Sequence, residues 1–241
     1  MEIFTQQGGE FLSRWAHYLS GVTWIGLLYY FNFVQVPAFA DFEAGARTEA
    51  IRKLVPRALW WFRWAAVLTL LSGLSILAFS PLYRVDGIWK TPVGYSISTG
   101  ILLAVVMFAN VWGVIWPNQR IVIANAEGVA AGREADPAAA VAGRKALLAS
   151  RTNTVFSIPM LFFMAATSHF AGTFDLAEGG QRATYAVITL LLVVALELNA
   201  LGLIGGTAPG PTKKYLDTHK NAIIAGFVLA TVFYVLFEIV F

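Results

Sequence analysis

Cysteine is absent from this 241-residue chain, and charged residues make up only 13% of it. Without cysteine the protein can hold no disulfide, thiolate zinc site, iron–sulfur cluster or covalently attached c-type haem, which needs a Cys-x-x-Cys-His motif. About a quarter of the residues in a soluble domain are charged. Here 58% of the residues are hydrophobic and the mean hydropathy is +0.66. The composition is therefore that of an integral membrane protein.

The sequence also lacks the motifs of hydrolases and nucleotide-binding proteins, since no Gly-rich phosphate loop follows a strand. The net charge of +3 would favour nucleic acid in a soluble protein, but in a membrane protein such an excess belongs to the loops that set orientation. We assign no nucleic-acid role. No internal repeat and no linker divides the chain, so residues 1–241 are expected to form a single transmembrane domain.

Six apolar stretches are long enough to cross a bilayer, which takes roughly 20 residues for a core of about 30 Å. They are Phe11–Val36, Ala58–Phe79, Val93–Trp116, Thr152–Phe170, Ala183–Gly205 and Ala222–Phe241. The sequence therefore predicts an all-α bundle of six transmembrane helices. The only partner that composition alone implies is the lipid bilayer.

The loops differ sharply in positive charge. The connections after the first, third and fifth helices, together with Arg63 just inside the second helix, carry 13 of the 17 Lys and Arg residues. Because positive loops stay in the cytoplasm, both termini are predicted to be periplasmic in a bacterial inner membrane. The opening MEIFTQQGGE has no basic residue, so the first helix is not expected to be a cleaved signal peptide.

The third connection is too long for a tight turn and much of it has helical periodicity. Residues 118–151 are therefore predicted to form a long cytoplasmic helical hairpin that breaks near Gly132 to Pro137. Residues 41–55 are predicted to form a polar helix at the membrane interface.

Two histidines are predicted to lie in the periplasmic half of the membrane. His17 is in the first helix and His169 is at the outer end of the fourth. Imidazoles from two helices at one depth are the axial ligands that a b-type haem needs. Gly21 and Trp24 share a helix face with His17, where the glycine leaves room for a flat macrocycle, and Arg14 could pair with a haem propionate. The alternative is that both histidines are interfacial residues that bond neighbouring helices or head groups.

A second polar set lies deeper in the membrane: Asn32, Arg63, Asn110 and Glu197. Ionisable groups are costly in hydrocarbon and need partners. One interpretation is a proton or substrate path. The other is structural, either as an interhelical hydrogen-bond clamp or as an Arg63–Glu197 ion pair.

Three segments carry a family resemblance. They are RWAHYLSGVTWIGLLYYFNFVQVP from Arg14, ANVWGVIWPNQRIVI from Ala109 and SRTNTVFSIPMLFFMAATSHF from Ser150. Together they resemble the membrane N-terminal domain of the bacterial membrane-bound urate oxidase (urate hydroxylase) family, and the first is also similar to the opening helix of membrane protoporphyrinogen oxidases and copper-resistance D-type proteins. The resemblance implies a cofactor ligand at His17. It also implies a periplasmic cytochrome c domain, which a cysteine-free chain is expected to lack.

Three functions follow as hypotheses. The first is a b-type haem protein that uses His17 and His169 and exchanges electrons with a periplasmic cytochrome or with quinone. The second is an oxidase of urate or a similar small substrate, for which no catalytic residue is identified. The third is a non-catalytic subunit that anchors or stabilises a larger membrane complex.

Overall fold

The computed structural model of the protein describes all 241 residues, which form helices and no β-strand. Nine α-helices follow along the chain: α1 (Gln6–Tyr29), α2 (Val36–Asp41), α3 (Ala44–Lys53), α4 (Val55–Phe79), α5 (Pro92–Asn110), α6 (Trp116–Ala130), α7 (Pro137–His169), α8 (Gly179–Ala200) and α9 (His219–Val240). Two π-helical segments, Tyr30–Gln35 and Val111–Ile115, join α1 to α2 and α5 to α6 without a break. The predicted all-α fold class is confirmed.

Five continuous helical stretches are long and apolar enough to cross a membrane. They are Gln6–Asp41, Ala44–Phe79, Pro92–Ala130, Gly179–Ala200 and His219–Val240. They coincide in large part with five of the six predicted spans. The protein is therefore a multi-pass membrane protein by the length and composition of its helices.

The remaining predicted span, Thr152–Phe170, is the C-terminal half of α7. This helix packs against α5, α6, α8 and α9 at the centre of the bundle. A run of polar side chains, from Arg151 to Thr154 and again at Ser157, is buried inside the protein. These polar side chains make α7 less apolar than the five candidate spans, and they are buried inside the bundle.

The first and third predicted helices continue beyond their predicted ends at Val36 and Trp116. Pro37 and Pro117 follow directly, and a proline inside a helix removes one hydrogen bond and clashes with the preceding turn. In both cases the structure absorbs the proline by widening into a π segment, so the amides of Val36 and Trp116 bond to carbonyls five residues earlier. The helices then run on to Asp41 and Ala130.

The predicted hairpin between the third and fourth spans is present as α6 and α7, which are separated by residues 131–136, where Gly132 has a φ of 82°. The predicted interfacial helix is α3, which buries none of its residues. The fifth predicted helix ends earlier than expected, at Ala200 and not at Gly205. Gly202 and Gly205 adopt positive φ angles of 80° and 75°, and this left-handed backbone stops the helix.

The helices pack as two groups. Helix α1 lies along α4, whereas α5 and α9 pack on α7. Two side-chain hydrogen bonds join α1 and its π segment to α7: Tyr29 Oη with Ser157 Oγ at 2.9 Å, and Asn32 Nδ2 to Ser150 Oγ at 2.8 Å. One cavity lies on each side of these two tethers along α1.

Candidate functional site

The orientation of the His17 ring is fixed by α4. Its Nδ1 lies 2.9 Å from the backbone oxygen of Thr69 and 3.2 Å from Ser72 Oγ. A carbonyl oxygen can only accept a hydrogen bond, so Nδ1 must carry the proton and Nε2 keeps its lone pair. Nε2 has no hydrogen-bond partner in the protein, which leaves it free to bind a metal centre.

Gly73 of α4 lets the His17 imidazole pack close to that helix. An added Cβ at Gly73 would lie 3.2 Å from His17 Cε1, closer than side chains normally approach. The glycine therefore permits the ring to lie against the backbone of α4. A histidine held by a backbone carbonyl through one nitrogen is the usual arrangement of a metal-binding histidine.

His17 lines a groove between the α1–α4 pair and α5. The enclosed volume of the groove is about 90 Å³, smaller than the roughly 300–1,000 Å³ typical of ligand pockets, and the groove is partly open. Twelve of its 15 lining residues are hydrophobic, among them Leu70, Ile101 and Phe108. This lining suits an apolar ligand.

Two further groups in the groove could contact such a ligand. Trp24 is 1% exposed, and its indole N–H has no hydrogen-bond partner. Met164, on α7, also lines the groove, where its side chain fits against Gly100. Its thioether is a haem axial ligand in some proteins. Met164 was missed at the sequence level because one methionine in an apolar helix gives no pattern.

The structure brings together only part of the predicted haem site. His17 and Trp24 line the groove, but Arg14, Gly21 and His169 do not. Arg14 instead pairs with Glu10, at 2.8 Å. His169 ends α7 and is exposed to the surroundings. Gly21 has no atom within 4 Å of an added Cβ, so it lies against open space.

The deeper polar set does not form a single network, and the predicted Arg63–Glu197 ion pair is absent. The Arg63 guanidinium stacks on aromatic rings, 3.5 Å from the centre of the Trp116 ring and 5.2 Å from that of Trp112. A long side chain near a membrane boundary finds an aromatic face closer than a carboxylate on a distant helix, and this contact is favourable for a cation.

The predicted hydrogen-bond clamp is present at Asn110. Its Nδ2 donates to Asn153 Oδ1 and to Glu197 Oε2, both at 2.9 Å, while Asn153 Nδ2 donates to the Met107 carbonyl at 2.9 Å. The clamp joins α5, α7 and α8. Asn32 belongs elsewhere, because it bonds to Ser150 and to the carbonyl of Leu28.

No group of three or more His, Asp or Glu side chains could hold a bare metal ion. A haem iron needs only one or two protein ligands, because the macrocycle supplies the others. Of the predicted haem ligands, His17 alone lines the groove.

Residues 90–200 match the family model described as urate oxidase N-terminal. The match runs from the approach to α5 through the end of α8 and contains two of the three segments on which the resemblance was based. It does not include α1, α4 or His17. This part of the chain is similar to the N-terminal membrane domain of urate oxidases, which confirms the resemblance seen in the sequence. No curated protein and no solved structure matches the chain.

Proposed function

We propose that this urate oxidase N-terminal-like membrane protein binds b-type haem in the groove at His17 and transfers electrons. When bound, haem supplies a one-electron iron couple whose potential depends on its axial ligands and surroundings. The observation that carries the proposal is the fixed His17 ring, with Nδ1 bonded to the Thr69 carbonyl and Nε2 free beside an apolar groove.

The residues of the groove have distinct roles in this proposal. His17 Nε2 would hold the iron of the group, and the apolar side chains of α4 and α5 would exclude water from it. Trp24 N–H donates to a polar edge of the ligand. A second protein ligand would be Met164, which lines the groove, or His169, which lies outside it.

The predicted topology indicates on which side of the membrane electrons would be exchanged. We propose that α7 is a sixth membrane span, with both termini in the periplasm of a bacterial inner membrane. The N-terminal half of α1, which carries His17, would then lie in the periplasmic half. A haem at this depth would exchange electrons with a periplasmic cytochrome.

Visible spectroscopy of the purified protein tests the proposal. We expect a reduced-minus-oxidised b-type α-band in protein from haem-replete cells, and its loss in His17→Ala. Comparison of Met164→Leu with His169→Ala identifies the second ligand, because replacing an axial ligand shifts the band and the potential, whereas replacing an exposed residue leaves both unchanged. Trp15→Ala, on the exposed face of α1, is the matched control.

A colourless protein would refute haem binding and would favour the third hypothesis, a non-catalytic subunit that co-purifies with other chains. The family match favours a second candidate function, oxidation of urate or a similar small molecule. That function predicts turnover of urate with an added electron acceptor, and a protein that reduces no acceptor with urate would exclude it.

A further inference from the structure

The Arg63 guanidinium has no acidic partner, although it belongs to an apolar helix. Arg63 lies in the third turn of α4 and takes part in none of the four ion pairs of the protein. Helix α4 contains no acidic residue, and neither does the helical run from Pro92 to Ala126 that contacts it. A charged group near hydrocarbon is costly unless it finds a partner. A counter-ion for Arg63 can therefore come only from outside the chain.

The contacts of this guanidinium leave one edge free. Its Cζ lies 3.5 Å from the centre of the Trp116 ring, and its Nε donates to the Leu59 carbonyl at 3.2 Å. Neither Nη atom makes a hydrogen bond within the protein, and both retain accessible surface. This edge presents its N–H donors in the fork that matches two oxygens of a phosphate. Stacking on the indole ring limits the orientations of the fork.

Tryptophan rings beside Arg63 mark its depth in the membrane. Trp60, Trp61 and Trp64 of α4 are 48%, 60% and 43% exposed. The ring centre of Trp60 lies 5.0 Å from that of Trp61 and 6.4 Å from that of Trp64, and the Trp64 ring contacts Trp112 at 5.7 Å. Tryptophans of membrane proteins gather at the level of the lipid head groups. The Arg63 side chain is therefore long enough to reach lipid phosphate.

The polar groups of these side chains are all donors. A guanidinium and an indole N–H can donate but cannot accept, and the N–H of Trp116 has no partner in the protein and is not enclosed. Arg120 lies one helical turn beyond Trp116, is exposed and takes part in no ion pair. We use the name Arg63 surface for Arg63, Trp116, Arg120 and the three exposed tryptophans of α4. This surface fits an anionic acceptor and offers no acidic group to a cation.

We propose that the Arg63 surface binds the head group of an anionic phospholipid, whose phosphate oxygens accept from the two Nη atoms of Arg63. Arg120 adds a second positive charge, and the tryptophan rings pack against the lipid below its phosphate. Phosphatidylglycerol has the required negative charge. Phosphatidylethanolamine adds an ammonium group, which finds no acidic residue here and is repelled by the arginines. The site therefore prefers phosphatidylglycerol, and it requires no haem at His17.

Native mass spectrometry of the delipidated full chain in detergent measures this preference. We expect phosphatidylglycerol to bind roughly fivefold more tightly than phosphatidylethanolamine with the same acyl chains. Arg63→Gln should weaken phosphatidylglycerol binding about tenfold and remove the preference, because it removes both the charge and the fork. Arg63→Lys keeps the charge without the fork and should weaken binding about threefold. Arg47→Gln removes an exposed arginine of α3 and is the matched control, which should keep the preference.

Arg63 makes no hydrogen bond to another helix, so both variants at this position should fold, which circular dichroism checks. Equal affinity of the wild type for the two lipids would overturn the proposal, as would unchanged phosphatidylglycerol binding by Arg63→Gln. An equal loss in Arg47→Gln would show that total charge, and not this surface, attracts the lipid, and would overturn it too.

Inorganic phosphate tests the other source of the same chemical group. A large excess should leave phosphatidylglycerol bound, because free phosphate has no acyl chains to pack against the tryptophan rings. Displacement by phosphate would overturn a lipid as the occupant. The His17→Ala variant should bind phosphatidylglycerol normally, so failure of the haem proposal and failure of this one are distinguishable.

Discussion

Removal of the Asn110 side chain should loosen the junction of α5, α7 and α8. Asn110 is 2% exposed, and its single amide nitrogen serves two acceptors on two other helices. Asn110→Leu keeps the approximate size and places an apolar group inside an apolar bundle. It breaks both 2.9 Å hydrogen bonds and leaves Asn153 Oδ1 and Glu197 Oε2 without this donor.

The magnitude follows from the two bonds and the two acceptors left behind. Hydrogen bonds between membrane helices contribute about 0.6 kcal/mol on average, with a maximum near 1.7. An acceptor left unpaired in a buried site costs about 1–3 kcal/mol. Asn153 retains its own donor bond and Glu197 lies partly open, so the penalties are at the lower end. We expect Asn110→Leu to lower the free energy of unfolding by about 2–3 kcal/mol.

Reversible unfolding in mixed micelles, followed by circular dichroism, measures this change. Asn118→Leu is the matched control, because Asn118 bonds only to the Val114 carbonyl of its own helical run. Its effect should stay below about 1 kcal/mol. Glu197→Gln keeps an acceptor oxygen for Asn110 and should be nearly neutral, whereas Glu197→Leu should destabilise the protein.

A double-mutant cycle isolates the clamp. Asn110→Leu combined with Glu197→Leu should cost less than the sum of the single variants, because the first change already breaks the shared bond. Strict additivity would refute the reading of Asn110 as a clamp. An Asn110→Leu protein as stable as the wild type would refute it too.

Three further predictions concern the loop after α8 and the groove. Arg151→Met should lower the free energy of unfolding by about 3 kcal/mol and expose residues 201–218 to protease. Arg151 donates to the carbonyls of Leu216 and Asp217 at 2.7 and 2.6 Å, and charged hydrogen bonds contribute about 1.5–3 kcal/mol each. Burial, and then the charge of Arg144, lowers the pKa of Lys213. Folding therefore favours its neutral amine, so the free energy of unfolding should rise with pH from that lowered pKa up to the ordinary value of about 10.4, and Lys213→Met should abolish the rise. Gly73→Leu should fill the groove and remove haem absorbance. Gly21→Leu places its side chain in open space and should keep that absorbance. The opposite result would indicate that the cofactor binds on the other face of α1.

The positions of the helices could be predicted because apolar runs of about 20 residues have few alternatives in a membrane protein. Their ends were less predictable. The first and third helices were predicted to end at Val36 and Trp116, directly before Pro37 and Pro117, but the structure continues through both prolines by widening one turn. Local sequence does not distinguish a proline that ends a helix from one that a π segment absorbs, since the difference depends on packing against neighbouring helices.

Partners of polar residues were predicted less well than their burial. Glu197 was identified as a residue that needs a partner, and its partner is Asn110. The alternative of an Arg63–Glu197 ion pair was wrong, because Arg63 stacks on Trp116. Gln35 and Gln119 line the second of the two cavities along α1. They were not singled out, because they lie near predicted helix ends, where polar residues are common. A weak signal was present: each glutamine lies two residues from a proline, and both prolines follow π segments that border the same cavity.

The polar run of α7 accounts for the placement of both cavities. Ser157 and Ser150 hold Tyr29 and Asn32 of the first span, and between these two bonds α1 cannot move away from α7. On the N-terminal side of the tethers, α1 packs on α4 and the space beside α5 stays open, with His17 and Met164 at its walls. On the other side, the π segment widens α1, and Asn32 and Gln35 line the second cavity. The polar residues of α7 make this helix less apolar than the other spans. Through Ser157 and Ser150 they also fix the boundary between the groove and the second cavity.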